Sequence, residues 1–269
     1  MYEIEIMQIF ETLDNMERNL DAPPEIFAIM RDDLDNALFA ECSCYGNFTP
    51  NEILSIYMDD MGEFSLMAPN DEKKKLYYHG CDCSKTAFWA DKQTGCSKNF
   101  WLRSIGWFTV TLADIIGYIN NDSDRKELIG LFREIIDGIA QYADPQTGMY
   151  YQVVDCGGRE GNYLETSGSS MIAYAMMKGA RLGVLDSKYS DIGHRTFDGI
   201  CNKYLKISEN GELALGGICL VAGLGPENNR RRDGTYEYYI SEPVVENDAK
   251  GVAPFLLCYT EVMRRVQQK

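Results

Sequence analysis

Residues 99–142 read NFWLRSIGWFTVTLADIIGYINNDSDRKELIGLFREIIDGIAQY. Two helices of different character stand side by side in this stretch. In the first, Phe108, Leu112, Ile115, Ile116 and Ile119 recur at i, i+4, i+7, i+8 and i+11, which is one helical face. In the second, Leu128, Leu131, Phe132, Ile135, Ile136 and Ile139 repeat the pattern. Asn121-Asp122-Ser123-Asp124 precedes them as a cap region. The first segment is small, glycine-containing and apolar on several sides. The second carries a charged outer face.

The same two characters alternate along the rest of the chain. Segments 104–119, 167–182 and 250–265 are of the first kind, and 168–182 (GSSMIAYAMMKGARL) is apolar nearly all round, as a helix buried on most sides must be. Segments 125–142 and 191–206 are of the second kind, the latter with Phe197, Ile200, Cys201, Tyr204 and Leu205 on one stripe. Alternating buried and surface helices predict two layers. The expected fold is therefore all-α, a toroid of helical hairpins of the α/α-barrel type, with a layered helical bundle as the competing arrangement. Each buried-type helix follows a polar cluster: Asn99 to Arg103, Asn162 to Ser167, and Ser241 to Asp248. Helices that start at one rim would gather these clusters at one mouth. Asp91-Lys-Gln-Thr-Gly95 and Asp144-Pro-Gln-Thr-Gly148 form a weak internal repeat, consistent with a shared hairpin unit. Residues 213–222 and 235–240 (TYEYYI) have β-like composition, so short hairpins are expected there. No strand–helix alternation of the Rossmann kind is present.

The 269 residues are 45% hydrophobic and 25% charged, an ordinary globular composition with ample material for a core. A net charge of −15 without a basic stripe argues against nucleic acid, and an arginine or histidine can still build a local anion site in an acidic protein. The N-terminal segment lacks the pattern of a signal peptide, and no apolar run is long enough to span a membrane. Nine scattered cysteines then read as free thiols of a cytoplasmic protein. Cys42/Cys44 and Cys81/Cys83 have the wrong spacing for a zinc knuckle, so no metal and no cofactor is expected.

Chemistry concentrates in residues 76–107. This stretch holds His79, Asp82, Trp89, Asp91, Asn99, Trp101, Arg103 and Trp107, including all three tryptophans and one of the two histidines. Aromatic faces beside a cation, a carboxylate and an imidazole suit an anionic sugar, because stacking supplies area and polar groups supply orientation. A core loop with satisfied polar groups is the plain alternative. Gly168-Ser169-Ser170 is not a nucleophile elbow, and Gly216-Gly217 and Gly223-x-Gly225 are too isolated for phosphate loops. Acid/base chemistry by carboxylates remains. The acidic segment Asp32-Asp33-Leu34-Asp35 through Glu41 is a candidate, although an acidic helix cap explains it as well. Asp59-Asp60 reads as a solvated face, while Glu242, Glu246 and Asp248 could line a mouth.

From about Leu34 onward the chain resembles glycoside hydrolase family 105, the unsaturated rhamnogalacturonyl hydrolases, kin to the unsaturated glucuronyl hydrolases of family 88. The resembling motifs are Leu76-Tyr-Tyr-His79-Gly-x-Asp82, Trp89 to Gly95, and Asn99-Phe-Trp-x-Arg103-x-x-Gly106-Trp107. Asp144 to Asp155, Asn162 to Ser169, Val221 to Gly225 and Asp233 to Asp248 continue them in order. The resemblance implies an (α/α)6 barrel in a single domain over residues 1–269, with residues 1–33 unmatched and the barrel incomplete at its N-terminus. It implies as substrate a 4,5-unsaturated galacturonyl oligosaccharide derived from rhamnogalacturonan. It also implies that an aspartate protonates the enol ether and helps water add, after which the hemiketal opens and the glycosidic bond is lost.

The resemblance places that aspartate at Asp35, in Asp35-Asn-Ala-Leu-Phe-Ala-Glu41, with Asp33 as the other register. His79, Arg103, Trp101 and Trp107 match pocket positions: Arg103 for the uronate carboxylate or a neighbouring sugar oxygen, Trp107 for stacking, His79 for orienting water or carboxylate. Leu102 stands where the family has glycine, and Asp33 where it has an aromatic residue. Asp32 and Asp33 would raise the Asp35 pKa if their side chains face it. Three readings follow: an active hydrolase, a non-catalytic or degenerate sugar-binding relative with an incomplete barrel, and a polysaccharide lyase on the same toroid. An opened barrel would expose apolar inner-helix surface, which a homodimer could cover.

Overall fold

The computed structural model describes residues 70–267, apart from 83, 120 and 208–210. They belong to one compact unit, Ala68–Lys269. The unmatched segment 1–33, Asp33, Asp35, Glu41, Cys42, Cys44, Asp59, Asp60 and Cys83 lie outside the described residues.

Short strands β1 (Asn70–Asp71) and β2 (Leu76–Tyr77) pair antiparallel and lead into the loop that carries His79. Helix α1 (Leu102–Ile115) follows, then α2 (Asp122–Ile139), α3 (Thr166–Arg181) and α4 (Lys188–Tyr204). Strands β3 (Leu205–Ile207) and β4 (Leu213–Leu215) form a hairpin after α4. Strand β5 (Ile218–Cys219) pairs with β6 (Val244–Val245) across the short helix α5 (Tyr236–Ser241), and α6 (Ala249–Gln267) closes the described chain. The described residues are thus mostly helical, with strands of two or three residues.

The two helix characters take the two predicted roles. α3 buries 13 of its 16 residues and packs against α1, α4 and α6. α1 and α3 approach closely because both carry glycine where they meet. A Cβ on Gly168 would lie 2.4 Å from Cγ of Leu102, and one on Gly106 would lie 2.8 Å from Sδ of Met171. Helix α2 instead buries one stripe, with Leu128, Phe132, Ile135, Ile136 and Ile139 packed beside Leu112 of α1 and Ile116 at its C-terminal end. The Asn121 carboxamide caps it, accepting from the backbone N–H of Ser123 at 2.9 Å and Asp124 at 3.4 Å. A second core joins α3, α4 and α6 through Met149, Met171, Met177, Phe197, Ile200, Phe255 and Cys258.

The internal repeat proves to be one turn built twice. Oδ1 of Asp91 accepts from the backbone N–H of Gln93 and Thr94, at 2.9 and 2.8 Å, and Oδ1 of Asp144 accepts from Gln146 and Thr147, at 3.2 and 2.8 Å. In each copy the glycine has positive φ, 81° at Gly95 and 75° at Gly148, where a Cβ would be strained.

One sequence expectation is overturned. Residues 235–240 form no strand; Tyr236–Ser241 is the helix α5. Thr235 caps it, its Oγ1 accepting from the Tyr238 N–H at 3.2 Å. Tyr236, Tyr238 and Tyr239 are buried with Trp101 and Val153 in a third apolar cluster. Burial of those rings outweighs the modest strand preference of threonine and tyrosine. The expected helix 191–206 likewise ends at Tyr204, and its last residues enter β3.

Candidate active site

The buried-type helices bring their N-terminal segments together. Trp101 immediately precedes α1 and forms an isolated bridge with Val153. Its indole is 6% exposed, and Nε1 donates to Oε1 of Gln152 at 3.2 Å. The Gln152 amide in turn donates to Sγ of Cys219 and to the Tyr239 carbonyl, at 3.2 and 3.3 Å. The half-buried His79 ring lies 4.6 Å from the Trp101 ring and 5.7 Å from that of Tyr239, centroid to centroid. Trp101 and Tyr239 are nearly parallel, 15° apart at 6.3 Å. Nδ1 of His79 and the Tyr239 hydroxyl are 2.5 Å apart.

Burial sets the charge of this group. It lowers the His79 pKa to about 3, because an imidazolium among rings gives up its hydration. Burial also raises the Tyr239 phenol well above its ordinary value. Both side chains are neutral near pH 7.

Arg103 lies against the Trp101 ring, its guanidinium 5.6 Å from the ring centroid, and it is 2% exposed. Nε donates to Oγ of Ser167 at 2.7 Å, one Nη2 hydrogen bond goes to the Cys219 carbonyl, and Nη2 lies 3.5 Å from Oε1 of Glu165. Glu165 is the N-cap of α3. Its carboxylate accepts from the N–H groups of Ser167, Gly168 and Cys219 at 3.1, 2.7 and 3.0 Å, and from Oγ of Ser167 at 2.7 Å. A fully buried ion pair needs this many partners to offset its lost hydration. The pair joins the starts of α1 and α3 to β5. The Arg103 guanidinium is thus committed to Glu165, Ser167 and the Cys219 carbonyl, with one contact to the Trp101 ring.

The other carboxylates of these segments are committed to local structure. Asp82 holds a loop, accepting from Ser84, Thr86 and Ala87, and the Ala87 N–H contributes most to a carboxyl pKa lowered to about 2. Asp233 accepts from Thr235, Glu242 pairs with Arg231 at 2.9 Å, and Asp248 pairs with Lys250 at 2.8 Å. Asp35, the expected acid, is outside the described residues.

Of the predicted pocket residues, the structure brings His79, Trp101 and Arg103 together. Trp107 stands apart from them; it is 46% exposed on α1, with no ring contact among the described residues. Tyr239 and Gln152 were not singled out from sequence. Tyr239 was concealed by the strand reading of 235–240, and Gln152 is an apparently ordinary polar residue in a resembling motif. A separate shallow depression between the Asp144–Gly148 turn and α4, lined by Arg195, Asp198, Asn202 and Lys203, contains none of these groups.

Comparison with known proteins agrees with this architecture. The profile of Glycosyl Hydrolase Family 88 matches residues 45–266. A 24.9 kDa protein in the picA locus of Rhizobium radiobacter is 38% identical over 208 residues, 76% of this chain and 89% of that protein. The solved family 105 glycoside hydrolase of C. acetobutylicum ATCC 824 is 38% identical with a TM-score of 0.71, over 82% of this chain and 60% of that chain. This chain therefore spans less than two thirds of that enzyme. The unsaturated glucuronyl hydrolase of Bacillus sp. GL1, 14% identical with a TM-score of 0.51 over 72% of this chain and 48% of its own, shares the fold. The helices described above follow the helical-toroid architecture of these enzymes. With a family match across most of its length and a relative of 38% identity, the chain belongs to Glycosyl Hydrolase Family 88.

Proposed function

We propose that the protein removes a 4,5-unsaturated galacturonyl residue from rhamnogalacturonan-derived oligosaccharides by hydrating the enol ether. The observation that carries this reading is the uncharged, half-buried His79 packed against Trp101 and hydrogen-bonded to Tyr239, in a chain of this family. A neutral, half-buried imidazole offers a hydrogen bond to a sugar oxygen or a uronate carboxylate without competing charge. Trp107 offers an exposed stacking face. The 38% identity to a solved family 105 glycoside hydrolase supports a glycoside substrate.

The described carboxylates of these segments are capped or paired, and the family resemblance assigns the acid/base role to Asp35, with Asp33 as the other register. In the proposed reaction the Asp35 carboxyl donates its proton to C4 of the enol ether. The resulting carboxylate takes a proton from the water that adds at C5. The hemiketal opens, and the aglycone leaves with its oxygen protonated, without attack at the anomeric carbon.

Unsaturated galacturonyl-rhamnose incubated with the pure protein should lose the ultraviolet absorbance of its conjugated enol. A folded Asp35→Asn variant should bind the disaccharide without consuming it. Unchanged absorbance at high wild-type concentration would overturn the hydrolase reading, and binding without turnover would favour a sugar-binding relative. A rise in absorbance with a saturated rhamnogalacturonan oligosaccharide would identify a lyase.

A further inference from the structure

We infer that Tyr239 is a positioning residue that holds His79 as the tautomer protonated on Nε2, so that His79 meets its ligand as a hydrogen-bond donor and never as a base.

The argument rests on counting hydrogens. The Tyr239 hydroxyl is fully buried, and its one hydrogen bond among the described residues is to Nδ1 of His79, at 2.5 Å. A contact between a phenol and an imidazole nitrogen can run in either direction. If Nδ1–H donated to the phenol oxygen, the phenolic hydrogen would be left inside the protein without an acceptor. A buried donor without a partner costs more than a hydrogen bond returns, and native structures avoid it. If the phenol donates, its hydrogen and the Nδ1 lone pair are satisfied together. Nδ1 then carries no proton, and the proton of the neutral ring resides on Nε2.

The surroundings hold this arrangement in place. The Gln152 amide donates to the carbonyl of Tyr239 itself and accepts from Trp101, so the two rings flanking His79 share one tether. The phenol resists ionisation, so its donor is retained across the working pH range. Nε2 of His79 has no hydrogen-bond partner among the described residues. A neutral Nε2–H suits an acceptor oxygen: a carboxylate, a ring or glycosidic oxygen, or the lone pair of an attacking water. It cannot take a proton from that water, which keeps the base role on a carboxylate. The catalytic part of this inference rests on the proposed hydrolase reading; the tautomer does not.

Two histidines in the whole chain make the test direct. Nitrogen-15 NMR of uniformly labelled protein, with His194→Gln to assign the signals, reports which His79 nitrogen carries hydrogen. The expected result is a protonated Nε2 and a bare Nδ1 at neutral pH. In Tyr239→Phe, which keeps the ring and loses only the donor, the His79 signals should move toward the mixture of tautomers seen in free imidazole. A protonated Nδ1 in the wild type, or an unchanged spectrum in Tyr239→Phe, overturns the inference. With active enzyme, Tyr239→Phe should raise KM about tenfold and change kcat less, as removal of one orienting hydrogen bond would. An equal fall in kcat at unchanged KM would overturn the positioning role. If no hydrolysis is seen in any variant while the tautomer is as stated, the functional reading fails and the positioning of His79 stands.

Discussion

A histidine packed against two aromatic rings gives the protein a pH sensitivity of definite sign. The unfolded chain binds a proton at His79 below its ordinary pKa of 6.5, and the folded chain does so only near pH 3. Stability from this group is therefore present above pH 6.5 and is lost progressively as the pH falls through that window. The slope is about 1.4 kcal/mol per pH unit at most. Urea unfolding at about pH 7, 6 and 5 should show this slope, and His79→Gln should flatten it, since most carboxylates titrate lower. An unaltered slope in the variant would assign the effect to other groups. A different balance operates beside the Trp101 ring, at Arg103 and Glu165. Glu165→Ala should cost about 3–5 kcal/mol in urea unfolding, well above an ordinary cap loss of about 1, because it also leaves a buried guanidinium without its counter-charge. Arg103→Lys should also destabilise, since a single ammonium cannot donate to Ser167 and to the Cys219 carbonyl from the two edges that Nε and Nη2 provide.

At the scale of elements, glycine separates two kinds of helix position. Gly168 marks the contact of α1 with α3, and Gly168→Ala should cost more than Gly106→Ala. The first Cβ meets branched Leu102, whereas the second meets the flexible Met171 thioether. On α2, a Cβ at exposed Gly130 meets nothing within 4 Å, so Gly130→Ala should stabilise by about 0.5–1 kcal/mol. Melting temperatures of the three variants should therefore rank Gly130→Ala above Gly106→Ala above Gly168→Ala. Helices α1 to α4 were legible in sequence because each writes its period into its own residues. The paired Asp-x-Gln-Thr-Gly turns were legible for a similar reason: an aspartate, its threonine and a left-handed glycine satisfy one another within five residues. Helix α5 was not legible, since its Thr and Tyr residues prefer strands. What makes it helical is the Thr235 cap combined with burial of three tyrosines against residues far along the chain.

At the scale of the whole molecule, two apolar cores and the third cluster lie among the described residues, all within the unit Ala68–Lys269. A fragment starting at Ala68 should therefore unfold cooperatively and keep the His79 tautomer. It should not hydrolyse the unsaturated disaccharide if Asp35 is the acid; circular dichroism, NMR and the enol assay check the three parts separately, and turnover by the fragment would exclude Asp35. The residue types for an anionic sugar were visible in residues 76–107, and so were the helix characters and the motifs of the family, because composition, period and short motifs are local properties of a chain. The tertiary structure alone decided which groups meet. Tyr239 reaches His79 across 160 residues, and Glu165 reaches Arg103 from the start of another helix. No local rule links such residues. Their pairing follows from close packing of α1 on α3 and from the requirement that buried donors and charges find partners, both properties of the assembled interior.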